Sequence, residues 1–119
     1  MNEKRQLPRW KVNKDVKVSF DNEENLQEAH LEDLNLKGMC LSLPVKLPQD
    51  RFIRMGLQLS EAISFEADIQ IPWVKEVAGR YVHGASFCRI VDEDKDKVYQ
   101  YINSHCLKQM KAQWWQNTK

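Results

Sequence analysis

A chain of 119 residues, 42% hydrophobic and 29% charged, is sized for one domain that buries a core and keeps a polar surface, which excludes a fully disordered chain. Its net charge of +1 hides a division. Residues 1–17 carry Lys4, Arg5, Arg9, Lys11, Lys14 and Lys17 against Glu3 and Asp15, whereas residues 21–33 carry six acids and no lysine or arginine. A general nucleic-acid binder is disfavoured, because its phosphates would meet the acidic block too, but a local anion site at the basic end is permitted.

In chain order, residues 1–14 are polar, basic and aperiodic, with Pro8 in the middle. They read as a flexible arm that a ligand would order, or as a plain tail; composition leaves both open. From residue 15 a two-residue period begins. Val16, Val18 and Phe20 alternate with Lys17 and Ser19, as in a half-buried strand. A polar turn at 21–25 leads to a weaker strand over 26–33. Met39, Leu41 and Leu43 mark a third strand after Gly38, and Pro44 and Pro48 bracket a loop. Ile53, Met55, Leu57 and Leu59 mark a fourth. Ile63, Phe65, Ala67, Ile69, Ile71 and Trp73 mark a long fifth, with a bend or edge expected at Pro72. After a turn near Ala78–Gly79, residues 81–87 form a sixth.

Six short antiparallel strands predict a mainly β protein, a barrel or a sandwich, since closure removes exposed sheet edges. The period then changes to that of a helix over about 92–115. Asp92 is the expected cap, Glu93 and Asp94 occupy the positive end of the dipole, and Val98, Tyr101, Ile102 and His105 form the buried stripe. Beyond it, Met110, Trp114 and Trp115 would dock on the barrel or on a second copy in a homodimer. Both remain open. Residues 15–119 are thus expected to be one domain behind the arm.

Cys40, Cys88 and Cys106 form no CxxC pair and read as small core hydrophobes rather than disulfide partners. They and the scattered histidines lack ligand spacing, so no metal is expected. No Gly-x-Ser-x-Gly or Gly-x-x-x-x-Gly-Lys occurs, and the chain is not expected to be an enzyme. The amino terminus lacks an apolar leader, and no run approaches the roughly 20 apolar residues of a membrane span. A cytoplasmic protein without a membrane partner is expected.

Two short patterns stand out. Arg5-Gln6-Leu7-Pro8-Arg9 places two arginines four apart in the arm, and Asp33-Leu34-Asn35-Leu36-Lys37-Gly38 joins the second and third strands. Together, in this order around a barrel, they resemble the PilZ domain family, whose marks are RxxxR followed by [D/N]xSxxG. Residues 67–75 resemble the family's strand leading to a tryptophan, residues 83–87 its Gly-x-x-Phe strand, and Asp92 onward its closing helix. Asn35 stands where the family usually has Ser, which bears on affinity more than on binding mode.

The resemblance implies a split-barrel fold, cyclic di-GMP as ligand, no further cofactor, and a protein effector that reads the ordering of the arm. The chemistry is compatible with these residues. An arginine fork engages guanine N7 and O6, stacks on a base or pairs with phosphate. Asp33 can accept from the opposite guanine edge, Asn35 can add a hydrogen bond, and Gly38 would keep a Cβ out of the ligand's way. In an extended arm, Arg5 and Arg9 lie at most roughly 13–14 Å apart, which suits a compact dinucleotide.

Lys4 is a further phosphate contact or, preferably, a solvated lysine. Trp73 is read as a core residue before a stacking platform, and Trp10 is evenly placed between the two. Two other readings stay in view. One is a small barrel that binds single-stranded nucleic acid, with steep salt dependence. The other is a PilZ-like interaction domain that has lost its nucleotide.

Overall fold

The structure, a computed structural model, describes residues 9–21 and 23–106. Six strands, β1 (Trp10–Phe20), β2 (Gln27–Leu34), β3 (Gly38–Leu43), β4 (Ile53–Gln58), β5 (Ser64–Val77) and β6 (Arg80–Arg89), are followed by one helix, α1 (Asp92–His105). They close in the order β1-β2-β3-β6-β5-β4, every neighbouring pair antiparallel. The expected six-stranded, mainly β barrel with a C-terminal helix is therefore the observed fold.

Alternation builds the core. Val16, Val18 and Phe20 of β1, Ile53, Met55 and Leu57 of β4, and Phe65, Ala67, Ile69 and Ile71 of β5 all point inward and are buried. Their outward neighbours are mostly charged or polar, so each strand gains apolar burial on one face while its backbone groups pair with both neighbours. At the β5–β6 connection, Val77 pairs with Arg80 around Ala78 and Gly79, which both have positive φ (53° and 80°). A two-residue turn of this hand matches the twist of the two strands it joins.

Several expectations shift. The first strand starts at Trp10, so residues 10–14, expected as arm, are strand. Lys14 masks this in the sequence. It occupies an otherwise apolar position, and its Nζ donates to the Leu59 carbonyl at 2.7 Å while lying 5.7 Å from the Tyr101 ring centroid.

The helix is capped by Val91, without a side-chain capping bond, and Asp92 is its first residue instead of its cap. Val98, Tyr101 and Ile102 are buried as expected, but His105 is exposed and stacked on Tyr101 at 4.1 Å. Residues 107–119, including the remainder of the expected helix, Met110, Trp114 and Trp115, lie outside the described residues. Cys40 and Cys106 are buried, whereas Cys88 is exposed and so is no core residue.

His83 is completely buried. Its Nε2 accepts from the Leu47 N–H at 3.0 Å, and its Nδ1 lies 3.3 Å from the Leu41 carbonyl. These partners require a neutral ring that donates from Nδ1. Burial holds its pKa below the usual 6.5, against the opposing pull of the Leu41 and Tyr81 backbone bonds. Among the described residues, no helix is long and apolar enough to cross a membrane, and no three His, Cys, Asp or Glu side chains cluster to hold a metal.

Candidate functional site

Strand register assembles a row of residues across the outer face of the barrel. Lys11 of β1 opposes Asp33 of β2, Asp33 opposes Cys40 of β3, Cys40 opposes Gly84 of β6, and Gly84 opposes Trp73 of β5. Directly opposed residues in antiparallel strands project to the same face. Asp33 and Trp73 are three strand spacings apart, roughly 14 Å at about 4.8 Å each. Between them lies a groove of about 170 Å³, lined by Arg9, Asp33, Asn35, Lys37, Gly38, Trp73 and Ser86 among others.

Two irregularities turn the key side chains outward. In β2, Leu31 opposes Leu41 but Asp33 opposes Cys40, so Glu32 is an extra residue relative to β3. Strict alternation after Ala29 and Leu31 would aim Asp33 into the core. The bulge instead buries Leu34, 0% exposed, and leaves Asp33 on the outside. In β5 the register slips between Gln70 and Trp73, around Pro72, which has no N–H to give the ladder. Ile71 stays buried, but Trp73 leaves the inward series and is 38% exposed. The expectation that Trp73 is a core residue is therefore wrong. Pro72 is legible in the sequence as a bend, but its consequence one residue later is not.

Two glycines let the outer surface close up. A Cβ on Gly84 would overlap the Trp73 indole, so this position must stay bare for the ring to lie across the sheet. A Cβ on Gly38 would overlap the Ala85 carbonyl. Gly38 thus serves close packing of β3 against β6.

Asn35 organises the turn between β2 and β3. Its Oδ1 accepts from the backbone N–H groups of Lys37 at 2.7 Å and Gly38 at 2.9 Å, and its own backbone N–H donates to the Gly38 carbonyl at 2.9 Å. This is the local bonding for which Asn and Asp are selected at turns. The oxygen is thus committed to the turn.

Charge converges here as well. Cys40, beneath the groove, has its thiol pKa pushed up to about 11, by burial first and then by the negative charges of Asp33 and Glu32, against Arg9 and Lys75. Arg9 and Asp33 act on this thiol with opposite sign, and both line the groove. The thiol stays protonated at neutral pH and is a poor nucleophile.

Of the expected site residues, Arg9, Asp33, Asn35 and Gly38 come together with Trp73. Trp10 does not join them. It pairs with Leu34 and packs against the barrel core. Arg5 and Lys4 lie outside the described residues. Lys37 and Ser86 line the groove although neither belongs to the expected set. The sequence signal for Lys37 is its place within the Asp33–Gly38 turn, and for Ser86 its outward phase between Ala85 and Phe87.

A closed six-stranded antiparallel barrel with a polar groove on its outer face and one C-terminal helix is the architecture that defines the class. The PilZ domain family model matches residues 3–104, and this chain belongs to that family. Solved structures share the fold. The Bacillus subtilis inhibitor of motility MotI/DgrA is 15% identical with a TM-score of 0.67, over 92% of this chain and 52% of its own. Escherichia coli YcgR, solved in complex with c-di-GMP, is 15% identical with a TM-score of 0.69, over 98% of this chain and 51% of its own. Borreliella burgdorferi PlzA, also in complex with c-di-GMP, is 13% identical with a TM-score of 0.56, over 82% and 40%. The chain therefore spans about half the length of the first two of these proteins. No curated protein sequence matches it.

Proposed function

We propose that this chain is a cyclic di-GMP receptor, not an enzyme, whose outer-face groove takes one guanine of the dinucleotide. The observation that carries this reading is the convergence of Arg9, Asp33, the Asn35 turn and Trp73 on one groove of a PilZ barrel. In this reading, the Arg9 fork engages the N7/O6 edge of guanine or a phosphate, and Asp33 accepts from the opposite edge. The Asn35 amide adds a donor. Trp73, with Gly84 beneath its ring, supplies a flat apolar surface for stacking.

At about 170 Å³ the groove is smaller than the roughly 300–1,000 Å³ of a usual ligand pocket. It suits a part of the dinucleotide, and in this reading chain before Arg9 covers the rest, with Arg5 as a second fork. Ordering of that segment is the change that a protein effector in the cytoplasm would read. The presence of c-di-GMP in the YcgR and PlzA complexes supports the choice of ligand.

Calorimetric titration with cyclic di-GMP, cyclic di-AMP and GTP in parallel tests the assignment. Saturable binding is expected for cyclic di-GMP. Arg9→Ala and Asp33→Ala should each weaken it roughly ten- to a hundredfold, about 1.5–3 kcal/mol for a charge-assisted hydrogen bond, with thermal stability unchanged. Wild-type affinity in either variant would overturn the site.

A further inference from the structure

A second hollow, of about 620 Å³, opens where β6 hands over to α1. Lys37, Arg89 and Lys95 stand around it, and Leu36, Phe87 and Ile90 form its apolar part. All three cations are exposed, and their side chains have no ion pair or hydrogen bond among the described residues. None of the acids in the first turn of α1 lines it, and Asp94 is already paired with Lys97 at 3.4 Å. The walls are held in place. The Phe87 N–H donates to the Lys37 carbonyl at 2.8 Å, which ties the turn to β6. Phe87 itself is locked edge-to-face on Phe65, with centroids 5.7 Å apart at 80°.

We propose that this hollow is a docking site for an acidic segment of a partner protein that carries apolar side chains between its carboxylates. Unpaired cations ringing an apolar floor complement such a segment. The arginine fork grips a carboxylate bidentately, the lysines attract further charge, and apolar side chains exclude water at the centre. A nucleic-acid strand fits less well. Its bases need aromatic faces presented for stacking, and the single aromatic ring lining this hollow is anchored to the core. The hollow shares Lys37 and Ser86 with the nucleotide groove, but Arg89 and Lys95 lie outside that groove, so reversing those two tests this site separately.

The test is a titration of the isotope-labelled full chain with a twelve-residue peptide of repeated Glu-Glu-Phe, followed by amide chemical shifts. Saturable shifts centred on residues 36–37, 87–90 and 95 are expected. Reversing both outer cations (Arg89→Glu with Lys95→Glu) should weaken binding roughly tenfold or more, since each modest attraction becomes a repulsion. The double variant should keep wild-type thermal stability and affinity for cyclic di-GMP, which shows that its fold is intact. Replacing Glu by Gln in the peptide should have the same effect on the wild-type chain. Shifts elsewhere, equal binding by the double variant, no saturable binding, or tighter binding of oligothymidylate at the same residues would each overturn the proposal.

Discussion

The inside and the outside of this barrel follow different rules. Inside, alternation holds almost without exception, and Val16, Val18, Ile53, Met55, Leu57, Phe65, Ala67, Ile69 and Ile71 all sit where a two-residue period puts them. Outside, the candidate groove exists because alternation fails. An extra residue at Glu32 turns Asp33 outward, a slip around Pro72 turns Trp73 outward, and two glycines allow backbone or ring to approach where a Cβ would collide. The inner face needs only apolar volume of the right phase, whereas the outer face needs particular residues at particular irregularities. Stability therefore resides mainly in the first, and the proposed recognition in the second.

Substitutions can separate the two faces. The largest effect on stability is expected from Leu31→Ala, at a 0% exposed position, which should cost about 2–5 kcal/mol by chemical denaturation. A smaller value would mean that the core collapses easily around the cavity. Next come the glycines, which both lie on the outer face but press on different neighbours. Gly38→Ala drives a methyl against backbone and should cost about 1–3 kcal/mol of stability. Gly84→Ala drives it against the Trp73 ring, which is partly exposed and can move. That variant should lose cyclic di-GMP affinity by more than it loses stability. Equal stability losses in the two would remove the distinction.

The pH dependence probes a polar exception on the inner side. His83 is held neutral with its pKa below the usual 6.5, so below that value the unfolded chain binds a proton that the folded chain resists. Its contribution should be fully present above about pH 6.5 and be lost as pH falls towards the lowered value. Denaturation midpoints at about pH 7.5 and about pH 5.5, on either side of the ordinary histidine value, should therefore diverge more in the wild type than in His83→Gln, whose side chain does not titrate in this range. The smallest effect is expected at the hairpin tip, remote from either face. Ala78 has a φ of 53°, which asparagine tolerates better than alanine. Ala78→Asn should raise stability by up to about 1 kcal/mol, seen as a melting temperature a few degrees higher.

Strand number and the C-terminal helix are readable from period and turn residues, because apolar phase is a local property of the chain, whereas closure as a barrel and not a sandwich came with the family resemblance. The Asp33–Gly38 turn is readable too, since Asn and Gly act on their own neighbours. The start of the first strand is not, because Lys14 breaks the apolar phase and only a carbonyl 45 residues away explains it. Nor is the outward turn of Trp73.

Period and turn residues by themselves determined six antiparallel strands and a closing helix, and two short motifs carried the family resemblance from which a guanine-bearing ligand is inferred. Tertiary structure alone decided which residues share a groove. Side-chain direction beyond a bulge depends on pairing with the next strand, and pairing is a contact between distant parts of the chain. Local pattern cannot encode it.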